Sequence, residues 1–267
     1  AGRENFCWPD PIESTNSTVG RFKLAQLVRA NRELERVCRA YRLPCVSGKD
    51  SMKNDYGSGP DKISIPPTLL FSLFGDHPDV RKTATSDFKF AGDRIYLVGS
   101  SKQELGASEL AFMLTESGEA AGVGGDVPRL LVPEENLNTY RSLSACIRAG
   151  WVRTAHDCSE GGVAVALAEM CIGGRIGAVV DIDGTGDGDV WGRLWGESLG
   201  RFIVAVSSEH EGAFLEAMRG HPTTVLGHVQ TEATLVITDG DDLLIAADVE
   251  SLVDAWKGTL DLTGGVS

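Results

Sequence analysis

Two short stretches of the chain set groups that handle phosphate and metal beside glycine. In Val46-Ser47-Gly48-Lys49-Asp50-Ser51-Met52 a cation, a carboxylate and a hydroxyl follow one another. Gly48 lets backbone approach an anion, Lys49 offers a compact positive charge, Asp50 suits Mg²⁺, and Ser51 can donate to an oxygen. The spacing is not that of the G-x-x-x-x-G-K-[ST] nucleotide loop, and a solvated turn is the plain alternative. The second stretch, Ala155-His156-Asp157-Cys158-Ser159-Glu160-Gly161-Gly162, runs into an apolar helical pattern. A helix start leaves N–H groups unpaired and carries partial positive charge, which suits a phosphate or a metal-bound phosphate. Asp157 is then the candidate metal ligand and Ser159 the candidate phosphate contact. The alternative is simple N-capping by either side chain.

Other clusters carry less. Asp181, Asp183, Asp187 and Asp189 among glycines resemble a calcium loop, but counting from Asp181 the twelfth position is Gly192, where a bidentate Glu is required. An acidic surface turn is expected. His156 adjoins Asp157 but no G-x-S-x-G elbow accompanies them, so a hydrolase triad is not indicated. Trp191, Trp195 and Phe202 around Leu194-Trp195-Gly196-Glu197-Ser198-Leu199-Gly200-Arg201 read as core aromatics, with Glu197 and Arg201 as further polar contacts. Cys7, Cys38, Cys45, Cys146, Cys158 and Cys171 form no C-x-x-C pair, which points away from zinc and from a disulfide framework and towards a reduced compartment.

These stretches need a folded frame. With 267 residues, 42% of them hydrophobic, the chain can bury a sizeable core. A net charge of -13 and a pI near 4.8 make a bare nucleic acid a poor partner. An acidic protein can still hold a nucleotide by placing Mg²⁺ between carboxylates and phosphates. No apolar run reaches membrane-spanning length and the first residues lack a signal-peptide pattern, so a cytoplasmic, non-membrane protein is expected.

After a polar opening through Thr18, apolar residues from Phe22 to Tyr41 recur at helical intervals. Residues 43–46 read as a short buried strand followed by a polar loop at 47–61, and 63–75 as a strand interrupted by Pro66 and Pro67. Beyond a subdomain boundary near residue 90 come a strand at 94–98, helices at 107–115, 133–149 and 162–172, and strands at 177–182 and 201–206. A helix at 209–218, a strand at 224–230, a hairpin and a last helix follow. The mixture is α+β rather than a βαβ repeat.

Taken together, ENFCWPDP, LPCVSGKDSMKNDY, KISIPPTLL, LGASEL, AHDCSEGGVAVALAEM and LWGESLGRF resemble, in this order, the second half of the formylglycinamide ribonucleotide amidotransferases. These enzymes, also called phosphoribosylformylglycinamidine synthases, belong to the aminoimidazole ribonucleotide synthetase superfamily. The resemblance implies a truncated α/β barrel-forming subdomain over 1–90 and an α+β subdomain over 91–267. It implies a reaction in which ATP activates a formamide oxygen and ammonia from glutamine displaces phosphate. Carried over by position, Gly48 is an ATP contact, Ser51 a substrate or phosphate contact, and Asp157 and Ser159 a Mg²⁺ ligand and an ATP or ADP contact of a second nucleotide site. Lys49 stands where compact members have Asn and, being unable to ligate Mg²⁺ while protonated, is expected on a phosphate. Glu4 falls near an acidic nucleotide contact. The implied partners are the first synthetase half, which bears the catalytic His and Gly-rich loop, a glutaminase domain or subunit, and, through unpaired barrel strands, a second copy of the chain. A cyclo-ligase of the same superfamily and a non-catalytic nucleotide-stabilised scaffold are the competing expectations.

Overall fold

The computed structural model describes residues 1–14, 18–118 and 124–258; residues 15–17 of the polar opening lie outside this range. Two compact units divide the chain, one of Ala1–Pro78 with Val132–Leu137, the other of Asp79–Leu131 with Asn138–Ser267.

The first unit contains β1 (Gly2–Cys7), α1 (Gly20–Ala40), β2 (Cys45–Ser51), β3 (Asp55–Tyr56), β4 (Ile63–Ser64) and β5 (Thr68–Leu73). Its main sheet has the order β2-β1-β5, with β1 parallel to β2 and antiparallel to β5. The polar opening therefore includes a central strand. Its sequence, GRENFC, lacks an apolar alternation, and pairing on both edges supplies what local propensity does not. A second correction concerns 43–46. The strand runs on through Ser51, and Cys45 to Asp50 are exposed rather than buried, because β2 is an edge with little packed on it. Pro66 and Pro67 separate β4 from β5, as residues unable to donate to a ladder must. In α1 the apolar stripe is only half used: Leu27, Leu34, Val37 and Cys38 are partly buried, whereas Phe22, Leu24 and Val28 remain exposed.

The second unit runs β6 (Arg94–Val98), α2 (Glu109–Glu116), α3 (Pro133–Arg148) from Asn138 onwards, β7 (Val152–Asp157), α4 (Gly162–Gly174), β8 (Gly177–Asp181), α5 (Val190–Trp195), β9 (Phe202–Val206), α6 (Glu211–Ala217), β10 (Thr223–Gln230), β11 (Thr234–Asp239), β12 (Asp242–Asp248) and α7 (Val249–Gly258). Seven strands form one sheet in the order β12-β11-β8-β10-β6-β9-β7, antiparallel except between β8 and β11. Alternation along the strands builds a core on each face. Ile95, Leu97, Ile203 and Ala205 pack under α4 and α7, while Tyr96, Val98, Val204 and Val206 meet Leu143 and Cys146 of α3 and Phe214 of α6. Helix α4 is apolar nearly all round, with Val163, Ala164, Ala166, Leu167, Met170 and Cys171 buried, as befits a helix held within the core. The fold is α+β, as expected. Strand β7 and helix α5 were not anticipated: RTAHD is polar for a strand, and α5 is a short turn started by Asp189, whose carboxylate accepts from the Gly192 N–H at 2.9 Å.

Candidate functional site

In the second unit, β7 delivers Asp157 to the end of the sheet, and α4 begins five residues later. The intervening turn depends on glycine. Gly161 and Gly162 have φ of 73° and 65°, and a Cβ on Gly162 would stand 2.6 Å from the Gly196 carbonyl and 2.7 Å from that of Leu194. Ser159 donates its hydroxyl to the Asp157 carboxylate. The carboxylate is 62% exposed, and clefts of about 410 Å³ lie on each side of it. Glu109, Glu160 and Glu169 line one of these, and Tyr140, Glu197 and Phe202 the other.

His156 turns its Nδ1 to the Asp157 carbonyl at 2.8 Å and its Nε2 to Glu169 at 3.2 Å. Neither nitrogen serves a nucleophile. The neighbouring Cys158 is buried, and desolvation pushes its thiol up to about 12.

The start of α4 is not a bare anion site. Glu197 accepts from the Gly161 N–H at 3.0 Å and from the Glu109 N–H, the first of α2, at 2.9 Å. Its charge offsets part of the helix-start attraction for phosphate. With acidic side chains around it, the loop favours a cation, and hard oxygens from one carboxylate and one hydroxyl suit Mg²⁺, which commonly takes one or two carboxylates and completes its shell with phosphate and water. Among the described residues no group of three or more His, Cys, Asp or Glu side chains is set to hold a metal, so phosphate oxygens would have to share the coordination.

Arg201 braces the backbone of this region. It is 1% exposed and donates Nε to the Ser198 carbonyl at 2.9 Å, Nη1 to Ser101 Oγ at 2.8 Å and Nη2 to the Gly196 carbonyl. Burial lowers its pKa, against the opposing attraction of Cys158, Glu104 and Glu197. Of the three aromatics read as core, Trp195 and Phe202 pack against it, but Trp191 is 53% exposed. The acidic run is a turn held by its own backbone: Asp181 accepts from the N–H groups of Asp183 and Gly240, and Arg193 pairs with Asp183 and Asp239.

In the first unit the geometry corrects the expected turn. Gly48, Lys49, Asp50 and Ser51 lie in β2, so their side chains alternate. Gly48 and Asp50 share the face of Glu4 and Phe6, whereas Lys49 and Ser51 share the other, where the Lys49 ammonium donates to the Ser51 hydroxyl. The four cannot converge on one phosphate. Gly48 leaves room for the Glu4 carboxylate, which lies where a Cβ would be. Glu4, Phe6 and Asp50 face α1 across a cleft of about 750 Å³. Glu4 Oε2 is buried there without a partner, and with Asp50 it forms an oxygen set that fits a hard cation. Cys38 and Cys45 close one end with their sulfurs 3.8 Å apart, and burial, Cys45 and Glu4 together push the Cys38 thiol up to about 11.

Glu109, Glu160 and Glu169 gave no sequence signal, being ordinary helix and loop acids until folding gathers them; Glu4 was legible only through its motif.

Among solved structures the chain is similar to Thermotoga maritima PurL complexed with FGAR, at 18% identity over 94% of this chain and a TM-score of 0.66. It spans 39% of that protein's length. T. maritima PurL complexed with ATP matches at 17% identity, 94% of this chain and 37% of the other, with a TM-score of 0.59. Escherichia coli HypE, a hydrogenase maturation protein, matches at 15% identity with a TM-score of 0.61, over 93% of this chain and 72% of HypE. At such identities the likeness is one of fold. The family model of the AIR synthase related protein, C-terminal domain, matches residues 91–240, more than half of the sequence. By that match the chain belongs to the AIR synthase related protein family.

Proposed function

We propose that this chain is the second half of the synthetase part of a formylglycinamide ribonucleotide amidotransferase, the ATP-dependent ligase of purine biosynthesis, and that it contributes a nucleotide–Mg²⁺ site. The observation that carries the reading is the Asp157–Ser159 pair, fixed by two left-handed glycines at the mouth of two clefts. Mg²⁺, when bound, supplies charge neutralisation between the phosphates of ATP or ADP and the acidic loop. Asp157 ligates it, Ser159 contacts a phosphate oxygen, and Glu197 keeps the loop in place from behind. In the first unit Asp50, with Glu4, offers a second cation position, while Lys49 and Ser51 present a phosphate-binding pair on the opposite face of β2. Gly48 serves by allowing Glu4 its place.

In this reading residues 1–90 belong to the barrel-forming subdomain and 91–267 to the α+β subdomain. The exposed Phe22, Val46, Leu70, Leu73 and Phe74, with β2 and β5 at the edges of their sheet, suit burial by the first synthetase half or by a second copy. The reaction as a whole needs that half, with a glutaminase domain or subunit, so the chain alone is expected to bind rather than to turn over. A protein so charged, with no described helix long and apolar enough to cross a membrane, is read as cytoplasmic.

Titrating ADP and ATP into the chain by calorimetry, with and without Mg²⁺, tests the site. A Mg²⁺-dependent binding event is expected, and it is expected to weaken at least tenfold in Asp157→Ala, whose side chain is exposed and whose loss leaves stability within about 0.5 kcal/mol. The absence of any Mg²⁺-dependent binding, or Mg²⁺-dependent binding that survives in the variant, would sink the assignment. A second reading, an ATP-using enzyme of another reaction, is favoured by the larger share of HypE that the chain spans. Binding of FGAR, once the first half is supplied, separates the two.

A further inference from the structure

The chain as a whole is strongly acidic, yet one cleft of the second unit, about 440 Å³, is lined by five cationic side chains. Arg81, Lys82 and Lys89 come from the segment ahead of β6, Arg148 from the last turn of α3, and Arg153 from β7. Three of them are held by carboxylates. Asp79 takes Arg81 through Nε at 2.9 Å and Nη2 at 3.0 Å, Asp87 stands 3.4 Å from Lys89, and buried Asp93 accepts from Arg153 at 3.0 Å. The Arg153 guanidinium also lies 4.7 Å from the centre of the half-exposed Phe90 ring. Lys82 and Arg148 have no carboxylate within ion-pair reach among the described residues, although Arg148 donates to Ser144 Oγ at 2.6 Å.

Five cations against three carboxylates leave the cleft positive, and three of the five are braced in position rather than free to swing away. Like charges gathered on a concave wall repel one another and focus a positive potential that only an anion relieves. Guanidinium forks match phosphate oxygens two at a time, with lysine as a point charge beside them, and the volume is that of a small-molecule pocket. The geometry points to a binding site in this cleft for a small molecule bearing a multiply charged phosphate group, taken up without metal. Its chemistry is the inverse of the Asp157 loop. There the lining is acidic and a phosphate needs Mg²⁺; here the lining is basic and Mg²⁺, by neutralising the ligand, competes with the protein.

Calorimetry with inorganic pyrophosphate, in buffer containing EDTA, tests the proposal on the intact chain. One pyrophosphate per chain is expected, weakened at least tenfold by Lys82→Glu with Arg148→Glu, weakened again by added Mg²⁺, and unchanged by Asp157→Ala. Both reversed residues are exposed, and an unshifted melting curve for the double variant confirms that its fold is intact. Should the double variant instead unfold, Lys82→Gln alone, at an exposed position, is expected to weaken binding two- to fivefold. Absence of binding, binding that survives charge reversal, or orthophosphate binding as tightly as pyrophosphate would each overturn the proposal. ADP binding more tightly than pyrophosphate in EDTA identifies a nucleotide as the source of the phosphate; equal or weaker binding identifies the free oxyanion.

Discussion

The two stretches proposed to handle phosphate are built in opposite ways. Gly48 to Asp50 lie in an exposed edge strand, in a unit whose buried hydrophobic side chains, among the described residues, are Phe6 and Trp8. Asp157 to Gly162 bridge a seven-stranded sheet and a buried helix, with Arg201 and Glu197 fixing the backbone around them. The second arrangement is complete within its own unit, since rigid elements and paired polar groups determine where each oxygen stands. In the first, the strand's alternation sends its functional groups to two faces, and each face gains a purpose only from what covers it. Similar residue types thus give a preorganised loop in one setting and an unfinished surface in the other.

Thiol labelling draws the contrast most sharply. Cys45 is exposed and Cys7 and Cys38 partly so, whereas Cys146, Cys158 and Cys171 are buried, with desolvation pushing Cys158 and Cys171 up to about 12. Under native conditions Cys45 is expected to react with a thiol reagent at least about a thousandfold faster than the three buried ones, which must wait for opening of the core. Comparable rates for all six would break the comparison. Next in size is Arg201→Leu, which strands the Ser101 hydroxyl and two carbonyls and removes the charge facing Glu104 and Glu197. A loss of about 3–5 kcal/mol is expected in denaturant unfolding followed by tryptophan fluorescence, and a loss near zero would show that the buried cation holds nothing. The smallest effect distinguishes the glycines. Gly162→Ala forces a left-handed alanine against two carbonyls and should cost about 2–3 kcal/mol. Gly48→Ala meets only the end of the Glu4 side chain and should cost about 1 kcal/mol or less, because a flexible side chain can swing aside. Equal costs would mean that the two stretches are equally constrained.

The contrast also explains what the sequence could reveal. Elements of the second unit were legible where hydrophobic periodicity and burial agree: the strand at 94–98, α3, α4 and the hairpin that ends in α7 follow directly from the pattern. Strand β7 was missed because its residues are chosen for the site at its end rather than for a pleated surface. In the first unit β1 and most of β2 carry Gly, Asp, Glu, Asn and Lys, residues that avoid strands, and only the pairing between them makes strands of GRENFC and CVSGKDS. The stretch at 155–162 was visible as a helix start, but its governing contact was not. Glu197 lies 36 residues from Gly161 and 88 from Glu109, and no local pattern announces a carboxylate shared over such separations.

That shared carboxylate ties two events together. Because one side chain holds the first N–H of α2 and the turn that opens α4, any movement of the Glu197 carboxylate frees both at once. Displacing that carboxylate, as in Glu197→Ala, should therefore speed amide hydrogen exchange at both Glu109 and Gly161. Whatever ligand steadies the Asp157 loop should then slow exchange at the head of α2 as well, so that occupancy is readable at a helix the ligand need never touch.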